Sequence, residues 1–189
     1  MKPRDRWKSA RYIVASVVLL GSLSAGAARA AEQYLGTISM LGGLGGSLDA
    51  EPKSGYNNVV VQAGFGMAVD SDLVVGVRVG RLQLDKRRDT FAGVFAQPRM
   101  DYLTLAGEYR IDEGYYHSGL LFGLGAYRLN GKDAAGSRHE DAPGVCLGVS
   151  GEFPITQHAG FLVELVGHYA NFKEAQLFAT AQAGLAIHF

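Results

Sequence analysis

Apolar and polar residues alternate one by one along most of this chain. "NVVVQAGFGMAVD" places Val59, Val61, Ala63, Phe65, Met67 and Val69 on one parity and Gln62, Gly64, Gly66 and Asp70 on the other. "LVVGVRVGRLQL" sets Leu73, Val75, Val77 and Val79 against Arg78 and Gly80. "MDYLTLAGEYRI" sets Leu103, Leu105, Tyr109 and Ile111 against Tyr102, Thr104, Glu108 and Arg110. A period of two belongs to a strand with one apolar and one mixed face. Eight such segments are predicted, at roughly 33–43, 58–69, 73–84, 100–111, 118–129, 144–154, 160–171 and 176–189, with no amphipathic helix after residue 30. Each runs to about ten residues, which suits a tilted strand crossing a bilayer better than the five or six of a soluble sheet.

The connections alternate in length. "DSD", "DEGYYH" and "ITQHA" are short; "GLGGSLDAEPKSGYN", "DKRRDTFAGVFAQPR" and "NGKDAAGSRHEDAP" are long and polar, and the last connection, around "KEA", is short again. Short turns on one rim and long loops on the other are expected of an antiparallel up-and-down barrel in an outer membrane. The predicted fold is therefore all-β, an eight-stranded transmembrane barrel.

Alternation alone does not say which face is out, since a soluble ligand carrier would put the apolar stripe inside. The aromatics favour the membrane. Tyr34, Tyr109, Phe153, Phe161 and Phe189 share the apolar parity at the short-turn rim, with Tyr127 and Tyr169 on that parity at the other rim. Aromatic residues at both ends of an apolar stripe form the two girdles of a membrane barrel. The opposite parity carries Arg78, Arg110 and Arg128 with Glu108, Glu152 and Glu164, and also Gln62 and His168. An eight-strand lumen is just wide enough for side chains, so these charges are expected to pair inside it. His168 is expected beside Glu164, four residues earlier on the same face.

The N-terminus changes the charge picture. Lys2, Arg4, Arg6, Lys8 and Arg11 precede the apolar run Ile13–Ala27, and "ARA" follows at Ala28–Ala30. A basic region, a short apolar core and an A-x-A site predict a secretory signal peptide over residues 1–30, cleaved after Ala30 or after Ala27, with the barrel occupying 31–189. Residues 1–30 hold six of the 18 Lys/Arg and one of the 18 acids, leaving 12 and 17 and a net charge of −5. No basic face remains for nucleic acid. Cys146 is the only cysteine, so neither a disulfide framework nor a C-x-x-C site is open to the chain.

The last residues, Gln182-Ala-Gly184-Leu-Ala-Ile187-His-Phe189, resemble the C-terminal β-signal of bacterial outer-membrane proteins: polar, any, Gly, any, any, hydrophobic, any, aromatic. With the signal peptide and the eight segments, the chain resembles the superfamily of small eight-stranded outer-membrane barrels. These have the shape of the OmpA membrane domain and OmpX-like proteins and, more distantly, of PagL-type lipid A deacylases. The resemblance implies an outer-membrane location, reading of Gln182, Gly184, Ile187 and Phe189 by the barrel-assembly machinery, and outer-membrane lipid and lipopolysaccharide as surroundings. It implies a monomer without a cofactor. No peptidoglycan-binding domain follows the barrel, so the OmpA anchoring role is not carried over.

Catalytic chemistry finds few candidates. "GHYANFKEA" resembles the deacylase stretch with a His-x-Ser pair, His168 matching the His and Tyr169 and Asn171 the surroundings, but Ala170 stands where the nucleophile belongs. Acyl transfer of that type needs a hydroxyl beside the base, and Glu174 lies closer than the family's acidic partner. His139, Glu140 and Asp141 lack structural-metal spacing. "GGLGGS" has no following Lys-Ser/Thr and helix, so it is no phosphate loop. The expectation is a structural or surface-interaction role through the outer loops, not an enzyme. The alternatives are a deacylase-like enzyme and a small pore.

Overall fold

A computed structural model describes residues 34–48, 58–84, 96–112, 115–133, 136–173 and 177–189. The predicted signal peptide lies outside them, as does Glu174. Eight antiparallel strands close into one barrel: β1 (Gly36–Ser47), β2 (Val59–Ala68), β3 (Leu73–Gln83), β4 (Ala96–Asp112), β5 (His117–Asp133), β6 (Gly136–Thr156), β7 (Ala159–Ala170) and β8 (Leu177–His188). Each strand pairs with its sequence neighbour, and β1 pairs with β8 from Thr37↔His188 to Ser47↔Phe178. Closure leaves no unpaired strand edge within the wall, the condition for crossing hydrocarbon.

The start of β1, the end of β8 and the connections 69–72 and 157–158 lie at one rim, here the turn rim, as do the end of β4 and the start of β5; the other is the loop rim. The apolar parity faces out. Leu103 is 53% exposed and Leu105 60%, with Val75, Val77, Phe122 and Leu124 on the same outward face. In water such a surface would be an aggregation hazard; in a bilayer it is the solvent match.

The third connection differs from expectation. "NGKDAAGSRHEDAP" reads as a loop, but β5 and β6 continue through it as a ribbon up to Asp133↔Gly136. Gly136, at φ +133°, sits in backbone that side chains rarely adopt. The stretch is polar on both faces because it rises past the lipid-facing band, so it carries no alternation that would mark it as strand. Cross-strand pairs hold it instead, Arg128 Nε and Nη2 meeting both oxygens of Asp141 at 2.6 and 3.1 Å.

Glycines let large lumen side chains approach the wall. A Cβ on Gly80 would lie 2.1 Å from the Tyr102 ring opposite it, and one on Gly144 would lie 2.8 Å from Tyr127. The rings cover backbone that the glycines leave bare.

Candidate functional site

The lumen is built in two layers. Toward the loop rim, seven strands together with Leu84 and Phe172 contribute an apolar cluster: Val60, Leu82, Leu84, Met100, Tyr102, Tyr127, Leu129, Ala142, Ala170, Phe172 and Phe178. The remaining strand, β1, supplies Gly45, whose missing Cβ makes room for Leu82. Burying each of these large apolar side chains contributes about 2–3 kcal/mol. This layer was missed at the sequence level because the pattern inverts near the loop rim: Leu82, Met100, Tyr102 and Leu129 turn inward while Arg81, Asp101 and Arg128 face out.

Toward the turn rim the lumen is polar. Arg78 reaches Glu164 at 3.0 Å and Glu108 at 3.7 Å, and Arg110 reaches Glu108 at 4.0 Å. Gln62 Nε2 donates to Glu164 at 2.9 Å, Tyr102 Oη to Gln62 at 2.8 Å and Ser150 Oγ to Glu108 at 2.6 Å. Nearer the rim, His188 Nε2 meets Glu152 at 2.5 Å and His188 Nδ1 meets Thr37 Oγ1 at 3.0 Å. A cavity of about 40 Å³ lies among Thr37, Ser39, Arg78, Glu108, Arg110 and Glu152. That is room for a few water molecules, not for a substrate.

Several placements correct the sequence reading. Arg128 is not in the lumen: it faces outward, half exposed, on Asp141. Its neighbour Tyr127 is inside, 1% exposed, and so belongs to no girdle. Both errors have one cause. Leu120, Leu121 and Phe122 make β5 apolar on both faces, so the parity was counted from the wrong residue. Glu152 pairs with His188 rather than with an arginine. His168 hydrogen-bonds with Tyr127 Oη at 3.2 Å and Thr180 Oγ1 at 3.4 Å, and the rings of Tyr102 and Tyr127 flank it. Its expected neighbour Glu164 is taken by Gln62 and Arg78 instead. Tyr34 precedes β1, bonds the carbonyl of Gln157 and stacks on His188 at 4.8 Å, so it covers the turn-rim mouth rather than facing lipid. Tyr109, Phe153, Phe161, Tyr169 and Phe189 are outward and exposed. Thr37 and His188 went unnoticed, although His188 shares the lumen parity of Gln182 and Gly184 on β8.

The residues matching the deacylase stretch are not arranged for acyl transfer to a lipid. His168 and Ala170 are both buried in the lumen, away from the outward face. Among the described residues no group of three or more His, Cys, Asp or Glu could hold a metal ion.

No protein family and no curated protein matches the chain. Solved structures do. Neisserial surface protein A superposes with a TM-score of 0.63 at 14% identity, covering 82% of this chain and 96% of that one. The chain has the fold of the small eight-stranded outer-membrane barrels. The N-terminal β-barrel domain of Pseudomonas aeruginosa OprF matches with a TM-score of 0.57 at 11% identity, over 83% of this chain and all of that one. Ail, the attachment invasion locus protein of Yersinia pestis, matches with a TM-score of 0.51 at 13% identity, over 82% and 96%. The outward face of this chain is apolar, with Tyr109, Phe153, Phe161 and Phe189 toward the turn rim and Tyr169 toward the loop rim, as suits a wall that meets lipid.

Proposed function

We propose that the protein is an integral outer-membrane barrel with a structural or surface-interaction role, exercised through its loop-rim connections and the β5–β6 ribbon, without catalysis. One observation carries this reading: the lumen is closed by the apolar cluster from Val60 to Phe178, while among the described residues β5 and β6 extend past the lipid band at the loop rim. A filled lumen offers no path to ions, which disfavours the small pore. The buried, tyrosine-flanked His168 disfavours the deacylase. A closed wall without free strand edges fits a monomer, and the Gln182–Phe189 ending fits delivery by the barrel-assembly machinery.

Mass spectrometry of lipid A from cells with and without the protein tests the non-catalytic part. The acyl pattern is expected to be unchanged, and a lost acyl chain would establish the enzyme. Planar-bilayer recording tests the closed lumen: no steady conductance is expected, and stable single-channel steps would overturn it.

A further inference from the structure

A straight row of charge crosses four strands on the outward face. Arg81 of β3 stands in register with Asp101 of β4, Asp101 with Arg128 of β5, and Arg128 with Asp141 of β6. The next row toward the loop rim holds Gln83, Arg99, Asn130 and His139. Asp101 receives Arg81 at 2.7 Å, Arg99 at 3.1 Å and Asn130 at 2.9 Å. Two guanidiniums therefore share one carboxylate, and the cluster of three arginines and two aspartates keeps one positive charge in excess. Arg81 engages Asp101 through Nε. Its side chain is 55% exposed.

The height of the row matters as much as its charge. Two residues below it in register lie Val79, Leu103, Ala126 and Pro143, the last outward apolar row. A two-residue step along a strand is about 7 Å, and with strands tilted by roughly 40° it rises about 5 Å along the membrane normal. The guanidiniums thus stand at the level where the headgroups of the adjoining leaflet begin, with acyl chains against the apolar row beneath. Arginine presents several donors in a planar fork that matches phosphate oxygens. The carboxylates hold the forks in place across the sheet, so little side-chain freedom is lost on binding.

We propose that Arg81, Arg99 and Arg128 form a binding site for a phosphate group of an outer-leaflet glycolipid. This rests on the membrane-embedded reading above, with the loop rim outside. The phosphate takes the excess charge and bonds to the guanidinium forks, and the carboxylates keep the site from collecting several anions.

Native mass spectrometry of the protein purified in mild detergent, titrated with bis-phosphorylated lipid A and with the same lipid after phosphatase treatment, tests the site. The phosphorylated form is expected to bind about tenfold tighter or more. The triple variant R81Q/R99Q/R128Q is expected to bind both forms alike. Equal affinity of the two lipids for the unaltered protein would overturn the proposal, and so would a folded triple variant that keeps the preference. If the triple variant does not fold, R81Q alone is expected to lose most of the preference, and its retention would count against the site. Inorganic phosphate displacing the lipid at equal concentration would overturn the assignment to a lipid. A heat-dependent shift on a mildly denaturing gel reports the barrel separately, so a lost preference with a retained shift rejects this site and leaves the barrel reading standing.

Discussion

Two kinds of charged residue occur in this wall, and they should respond differently to mutation. Glu164 is 1% exposed and accepts from Gln62 and Arg78. Glu164→Ala strands part of the charge of Arg78 in a closed lumen, and a loss of about 3–5 kcal/mol in urea unfolding is expected. Asp141, on the outward ribbon beyond the apolar band, is held below the usual carboxylate range by the hydrogen bond and charge of Arg128. It is solvent-screened, so Asp141→Ala should change the same unfolding curve far less than Glu164→Ala. Equal effects would mean that the lumen is wetter than its packing indicates. Glycines divide in the same way. Gly80→Ala drives a Cβ into Tyr102 and should destabilise by about 1–3 kcal/mol, whereas at Gly42 the nearest atom is a carbonyl oxygen 3.9 Å away and Gly42→Ala should be close to neutral. Paired unfolding curves of the two variants decide this.

At the scale of elements, the seam between β1 and β8 closes the barrel, and the chain's last residue takes part in it. Gly36 N donates to Phe189 O at 2.9 Å and Phe189 N to Gly36 O at 3.0 Å, with the Phe189 ring lying over Gly36. The ring itself is 56% exposed, so it adds little lumen packing. Phe189→Ala should therefore cost the folded barrel little while lowering the amount assembled in cells. The heat-shifted fraction in outer membranes, compared with refolding yield in detergent, separates the two. An unchanged assembled level would count against an assembly signal at this end. The β5–β6 ribbon shows the limit of pattern reading. Its strands are set by register and cross-strand pairs such as Arg128–Asp141, which a single sequence does not display once both faces are polar.

For the whole molecule, strand number, antiparallel order and the outward apolar face were legible because one face meets lipid and the other does not. That contrast writes a period of two into Val75–Val79 and Leu103–Tyr109. It fades where both faces are apolar, as at Leu120–Phe122, and there Tyr127 and Arg128 were assigned to the wrong sides. The polar lumen was legible by residue type, but its partners were not, since Arg78 reaches Glu164 across the barrel and His188 meets Glu152 between strands far apart in sequence. The central claim is that β5, like its neighbours, turns alternate residues to lipid and lumen. The only tryptophan of the chain is Trp7, so the chain from Ala31 is dark until one is introduced. Phe122→Trp, Leu124→Trp and Tyr127→Trp, each refolded into bilayers, should be read by quenching with brominated lipid. Strong quenching is expected at 122 and 124 and little at 127. Quenching at 127 with protection at 122 and 124 would mean an inverted wall, and the membrane barrel described here would be wrong.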